Sequence, residues 1–520
     1  MSGRARRAIL LLAICAGLRI VSLVRPCLSD DEATYCVVAR EMLQGRVLYR
    51  DVVDHKPPLI YVTYAATETL GGREHGMFIL HLLTILVVWA TALVLGKITE
   101  RATATPATGP PRDAGDEVPF AASLLFVIFT TTLLDFDALA ANCELYMLLP
   151  LTASVLCYLR GFAEPRRAWL ATAGLLVGVA MLYKYQAAVQ LPLYAIHLGL
   201  VHRRRWAALL GGWLAVALGF AVPVGLCLWM MRRAGALDGA LFWFSFNAAY
   251  IKQGMRISEV AARALRRVPY GILPALFLWI LAVRAAVLRW RGRQEDPTAV
   301  FLVWWLAVSA LATTAGGRFF GHYFHQVTPP LAVLAAPGAV RIWQRRRPLG
   351  VVAVGVPAAV FLLIGLFHAP AARAVGALEP DYATIARFIR ARSRPSDPLV
   401  VWGNVPVLYF EAQRPLGSRF VFSNYLTGLS PATRTQSDPT ADASVNVVSE
   451  SWEMFVSDLA SRLPSLFVDT SPGNLGAYGK FPPARFPRLS AIIDRNYTLV
   501  GEVAGARVFA RRQLESVTLR

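Results

Sequence analysis

Apolar residues in this chain come in long unbroken runs, and short arginine-rich clusters separate one run from the next. A bilayer core of about 30 Å is crossed by about 17 to 25 apolar residues at a helical rise of about 1.5 Å per residue. Eleven windows meet that condition, some of them marginally, centred on residues 8–25, 76–96, 119–136, 144–161, 168–183, 186–201, 207–231, 269–288, 298–316, 322–340 and 349–368. The two shortest flank the stretch "YKYQ", as short or broken spans around a bundle's cavity do. The first run follows "MSGRARR" as a secretory signal would. Arg25-Pro26 stands where small residues would mark a cleavage site, so the run reads as an uncleaved span.

An odd number of spans places the termini on opposite sides. With the N-terminus inside, the connections "GKITERATATPATGPPRDAGDEVP", "RGFAEPRR", "HRRRW", "RWRGRQED" and "RIWQRRRPLG" face the cytoplasm, which is the positive-inside pattern. Arg232 and Arg233 are exceptions that open a long outer loop, 232–268, and long segments translocate regardless of charge.

After residue 370 the pattern changes. "DYATIARFIRAR" reads as an amphipathic helix, "PLVVWG" as a buried strand, "VPVLYFEAQ" as a helix and "RFVFS" as a strand. "WEMFVSDLASRLP" and "SLFVDTS" repeat the alternation, "YTLVGEVAGARVFARR" reads as a closing hairpin, and the polar segment 428–446 reads as a mobile loop. The expected fold is therefore a polytopic α-helical membrane protein of about 11 transmembrane helices, N-terminus in and C-terminus out, with a C-terminal extracytoplasmic α/β domain. Residues 1–370 form the transmembrane domain, with a first outer loop at 26–75, and 371–520 form the soluble domain.

Composition agrees: 56% of the 520 residues are hydrophobic and only 17% charged, which places the protein as multi-pass in the cell membrane. The net charge of +20 does not imply nucleic acid as a partner, because the basic residues punctuate apolar runs instead of forming one basic face with aromatic platforms. Cys15, Cys157 and Cys227 lie inside apolar runs as small hydrophobes. Cys27, Cys36 and Cys143 lie near the outer mouth, with no spacing that dictates pairing. Asn496-Tyr497-Thr498 matches a glycosylation sequon, a pattern common by chance, and is assigned no role. A phosphate-binding loop, a dinucleotide fingerprint and a Cys/His metal array are all absent from the sequence.

Candidate chemistry begins where the first run ends. In "CLSDDEATYCVVAREMLQG", Ser29 and Glu32 have the spacing of a capping box for a helix over 30–44 that Gly45 stops, with Ala33 and Val37 on its apolar side. One acceptor suffices for a cap. Three consecutive carboxylates beside hydrocarbon carry repulsion and desolvation costs that point to a further role. Further along the same loop, "DHKPPLIYVTYAATETLGG" sets Asp54, His55 and Lys56 before two prolines that start a helix too short to cross, ended by Gly71-Gly72. Carboxylates and a lysine thus share two short helices at one membrane face, where an anion with a lipid tail would fit.

The run "DDEATYCVVAREMLQGRVLYRDVVDHKPPLIY" resembles the first outer loop of lipid-linked-sugar-dependent glycosyltransferases of the GT-C superfamily, the group that holds protein O-mannosyltransferases and the lipid A aminoarabinose transferase. The shared elements are an acidic pair, a glycine-containing helix end and Lys-Pro-Pro. The resemblance implies an inverting transferase that moves a sugar from a polyprenyl-phosphate donor to a hydroxyl acceptor (protein, lipid or glycan) on the outer membrane face. It implies that Asp31 is the catalytic base with Glu32 beside it, Asp30 being an extra acid that leaves the register open. It implies that Lys56 meets the donor phosphate, with His55 adjacent, and that the second acid of the family falls on Glu144 in "ANCELYMLL". "GGRFFGHYFHQVTPPLAVLAAP" resembles an Arg-aromatic segment of bacterial members, which implies Arg318 at phosphate and Tyr323 and His325 lining the cavity. Glu144 also suits a helix start, and Arg318 a snorkelling position. Asp135 and Asp137 are weaker candidates at the same mouth.

No cofactor is required, although a divalent magnesium or manganese ion could be held by Asp31, Glu32 and Glu144 with His55. Two other classes stay open: a lipid-linked oligosaccharide ligase or polymerase, and a transporter of lipid-linked or polar substrates, which would more often show internal repeats and acids near the midplane.

Overall fold

The computed structural model describes residues 2–25, 27–103, 116–132, 139–163, 166–252, 256–292, 296–375 and 381–512. They divide into two compact units. Met1–Ser29, Lys56–Met230 and Arg256–His368 make the first; Asp30–His55, Met231–Met255 and Ala369–Arg520 make the second.

The described residues of the first unit are almost entirely helical. Six helices of the chain are long and apolar enough to cross a membrane among the described residues: Leu59–Thr103, Cys143–Gly161, Trp206–Arg233, Ile257–Arg291, Pro297–Gly317 and Arg347–Ile364. Glu117–Phe129 and Arg167–Met181 are shorter apolar helices. Trp206–Arg233 leaves most of its apolar side chains outside, Leu214 and Trp229 among them, which a bundle folded in water would bury. Its inner face meets Arg167–Met181 backbone to backbone: a Cβ on Gly174 would collide with the Val216 carbonyl, and one on Gly219 with the Ala171 carbonyl. Small residues at such a crossing let helices approach where no hydrophobic effect drives them together.

Leu59–Thr103 is two helices, broken at Gly72 where φ is 62° and ψ is −167°, a conformation open essentially to glycine alone. The short helix after Lys-Pro-Pro therefore ends where the sequence pattern placed its end. The apolar window 322–340 differs from expectation: Gly321–Val327 is a 3-10 turn, and the α-helix starts at Thr328 with Pro329 and Pro330 in its first turn. Segment 232–268, expected as an outer loop, carries the helix Leu237–Lys252 and most of Ile257–Ile272 among its described residues.

In the second unit the helix Asp30–Leu43 is buried from Glu32 to Glu41, and Gly45 ends its last turn at φ 87°. A four-stranded sheet has the order β1 (Leu399–Trp402), β2 (Leu466–Asp469), β4 (Ala506–Arg511), β3 (Tyr497–Val503). β1 and β2 run parallel; β3 and β4 form an antiparallel hairpin whose turn, Ala504-Gly505, has positive φ at both residues, as a tight hairpin turn requires. Trp402 is fully buried, its indole packed on Trp452, Phe455, Tyr478 and Phe486 and its N–H given to the Phe481 carbonyl at 2.7 Å.

The stretch "RFVFS" is not a strand. Only Phe420 bridges, to Val53, and the stretch bends into an aromatic cluster of Phe420, Phe422, Tyr425 and Trp243. Within segment 428–446, Thr433 caps a short helix, Arg434–Ser437, and its hydroxyl bonds the Ser430 carbonyl and Thr435, so the expected loop is internally tied.

Candidate functional site

In the first unit the site is assembled where two chain breaks meet. Lys184 lies in extended conformation between Arg167–Met181 and the 3-10 turn Tyr185–Val189, so "YKYQ" is a true interruption. The Lys-Pro-Pro helix starts against it: the Leu59 amide donates to the Leu182 carbonyl at 3.0 Å, and the Thr63 and Tyr183 hydroxyls are 3.1 Å apart. Glu144, in the first turn of Cys143–Gly161, is buried, with its Oε1 2.6 Å from Lys184 Nζ. His322 Nε2 stands 3.7 Å from the same oxygen, and the Lys184 ammonium lies over the Tyr323 ring at 4.7 Å. The Lys56 charge acts on both Glu144 and Lys184. Burial alone would lower the Lys184 ammonium, but the Glu144 carboxylate outweighs it and the group titrates above its ordinary value.

Arg318 is buried between left-handed residues: Gly316 and Gly317 before it have φ of 75° and 59°, and Phe319 after it has φ 53°. A phenylalanine held there is strained, and such strain concentrates at functional sites. Arg263 donates to the Gly317 carbonyl at 2.6 Å and feels the Arg318 charge, while Arg267 lies over the Phe320 ring at 5.0 Å. His325 is fully buried on the same 3-10 turn as His322.

In the second unit Asp30 is exposed, Asp31 half-buried and Glu32 fully buried. Asp31 accepts from the Tyr35 hydroxyl at 3.2 Å, one helical turn on. His55 Nδ1 is 3.0 Å from Asp54 Oδ1 and 3.3 Å from the Tyr425 hydroxyl, and its ring meets Phe246 edge-on at 6.1 Å. Among the described residues no group of three or more His, Cys, Asp or Glu is placed to hold a metal ion. All six cysteines are free.

The family model for dolichyl-phosphate-mannose-protein mannosyltransferases matches residues 115–229. Among solved structures, the chain is similar to ArnT from Cupriavidus metallidurans bound to undecaprenyl phosphate, at 15% identity over 96% of this chain and 97% of that one, with a TM-score of 0.59. The apo state of the same protein aligns at 15% identity over 98% of each chain, with a TM-score of 0.60. The chain shares the fold of these ArnT structures. An oligosaccharyltransferase from Archaeoglobus fulgidus, tethered to an acceptor peptide containing the NVT sequon, is similar at 11% identity over 98% of this chain and 74% of that one, with a TM-score of 0.51. No curated protein sequence matches.

With this fold and six helices long and apolar enough to cross a bilayer among the described residues, the protein is a multi-pass membrane protein. Of the residues expected to act, Lys56, Glu144 and Tyr323 gather in one cluster, with Arg318 and His325 in the same unit. Asp31, Glu32 and His55 belong to the other unit. Asp135 and Asp137 lie outside the described residues. Lys184, His322 and Arg263 were not singled out from the sequence. A lysine in a four-residue break between two short apolar windows was the available signal for Lys184. The arrangement can do one thing well: present several cations, anchored by a single buried carboxylate, to an anionic group.

Proposed function

We propose that this protein is an inverting glycosyltransferase that moves a sugar from a polyprenyl-phosphate donor to a hydroxyl acceptor on the outer face of the cell membrane. In this reading it has eleven spans with the N-terminus inside and the C-terminal domain outside. The observation that carries the reading is the cationic cluster of Lys56 and Lys184 on Glu144, with Arg318 and Arg263 in the same unit. It suits a phosphate that gains charge as it leaves. The similarity to a structure bound to undecaprenyl phosphate supports a lipid-phosphate donor.

Asp31 takes the proton of the acceptor hydroxyl as that oxygen attacks the anomeric carbon. The bond from that carbon to the phosphate oxygen breaks, and its electron pair departs with polyprenyl phosphate. The transition state is oxocarbenium-like, reached in a single displacement in which no covalent sugar-enzyme intermediate forms. Lys56, Lys184 and Arg318 neutralise the leaving phosphate, and the proposal places no metal in the reaction. Mass spectrometry of surface glycans and of accumulated lipid-linked sugars, in cells with wild-type protein or Asp31→Asn, tests it. Loss of a glycan with build-up of its lipid-linked sugar is expected in the variant. Unchanged profiles in both fractions would favour a transporter.

A further inference from the structure

We infer that the C-terminal segment of this chain is a clamp that fixes the acidic first-loop helix, which makes Glu41, Arg419 and Asp458 positioning residues for the transfer reaction. The inference rests on the proposed role of Asp31, and it assigns the soluble segment a job other than binding a ligand.

The loop Asp30–His55 belongs to the same compact unit as Ala369–Arg520, and the bonds that tie them are at both ends of the loop. At the end of the helix Asp30–Leu43, Glu41 is 2% exposed, and its Oε1 accepts the Leu416 amide at 2.9 Å. Arg46 pairs with Glu41 Oε2 at 2.7 Å and donates to the Leu416 carbonyl at 3.0 Å, so both backbone groups of one residue of the C-terminal segment are taken by the loop. Arg40 lies over the Phe410 ring at 5.1 Å.

At the far end, the Val53 amide donates to the Arg419 carbonyl at 2.9 Å, and Arg419 Nη1 to the Arg50 carbonyl at 3.3 Å. Arg462 Nη2 donates to the Asp51 carbonyl at 2.6 Å. Asp458 in turn fixes Arg419 by three bonds: from its amide at 2.7 Å, and from Nε and Nη2 at 2.9 Å each. Two residues beyond Val53, His55 reaches the Tyr425 hydroxyl.

A buried helix pinned at its C-terminal turn is a lever. Asp31 sits about 15 Å up that helix from Glu41 at about 1.5 Å per residue. A small rotation at the pinned end therefore displaces the carboxylate, and a misplacement of about 1 Å costs a reaction on the order of 100-fold. Several charged groups in desolvated positions are used where apolar packing would hold two segments together equally well. Directional, charge-assisted bonds fix register as packing does not.

The test uses the full-length protein in nanodiscs carrying Glu41→Gln or Asp458→Asn, the first of which keeps an oxygen for the Leu416 amide. Hydrogen exchange across Asp30–His55 is measured, with undecaprenyl phosphate binding and consumption of lipid-linked sugar in cells at matched protein level. We expect faster exchange in the loop, undecaprenyl phosphate affinity within about twofold of wild type and turnover down at least about tenfold, the split that misorientation gives and a fold defect does not. Unchanged exchange, or fast exchange with wild-type turnover, overturns the clamp. Wild-type turnover in Asp31→Asn would instead remove the base assignment and leave the exchange result standing.

Discussion

Replacing Lys184 with methionine strands the Glu144 carboxylate in a site where it is 2% exposed and has lost a partner at 2.6 Å. Removing one member of a buried pair costs about 3 to 5 kcal/mol, and the Lys56 charge that still acts on Glu144 sets the expected cost toward the lower end of that range. At an unfolding entropy of about 2.1 cal/mol/K per residue, that corresponds in a chain of 520 residues to a fall of roughly 3 to 5 °C in the thermal transition. The double variant Glu144→Leu with Lys184→Met removes both charges, and apolar replacement of a buried pair is neutral or stabilising by about 1 to 4 kcal/mol. The double variant is therefore expected to melt at or above wild type while consuming no lipid-linked sugar. Thermal unfolding of the purified protein in detergent, paired with in-cell accumulation of the donor, reads both quantities. A double variant as unstable as the single one would refute the electrostatic reasoning. A stable double variant with wild-type activity would show that the pair has no part in transfer.

Other perturbations separate the remaining parts of the account. Gly72→Ala meets no atom within 4 Å, so its whole cost comes from φ 62° and ψ −167°; a loss of about 1 to 3 kcal/mol in thermal unfolding is expected, and an unchanged transition would mean the break is not held. Asp469 is buried at the end of β2, which pushes its carboxyl up despite the Ser471 amide bond. A raised folded pKa means stability present below the unfolded value, about 3.9, and lost as pH rises through the folded value. Asp469→Asn should therefore raise the unfolding temperature at pH 7.5 and lose that advantage below about pH 4, which melts at the two pH values check. Phe319→Gly relieves a left-handed residue next to Arg318 and should stabilise the fold while weakening undecaprenyl phosphate binding, if the strain serves to aim Arg318.

Much of the fold was legible because local signals agreed. Gly71-Gly72, the helix ended by Gly45, β1, β2 and the closing hairpin each carry a turn or cap residue at the right place. "RFVFS" has strand composition, but its residues are taken by aromatic partners far away in sequence, Trp243 among them, which no periodicity reveals. In the site, Lys56 and Glu144 stood out through the motif that carries them. Lys184 did not, because a single lysine at the end of an apolar run has an ordinary interfacial explanation and its partner Glu144 is 40 residues away. His322 lies against that carboxylate, three residues before the expected His325, because Gly321–Val327 winds as a 3-10 turn, whose side chains project differently from those of an α-helix.

The central claim is that a lipid-phosphate-linked sugar is the donor and Asp31 the base. Its most direct test is quantitative mass spectrometry of lipid-linked sugars in cells expressing wild type or Asp31→Asn at equal levels, with undecaprenyl phosphate binding measured on both purified proteins. The account predicts that one lipid-linked sugar accumulates in the variant while undecaprenyl phosphate binds both proteins alike. Identical lipid-linked pools in the two strains would contradict it.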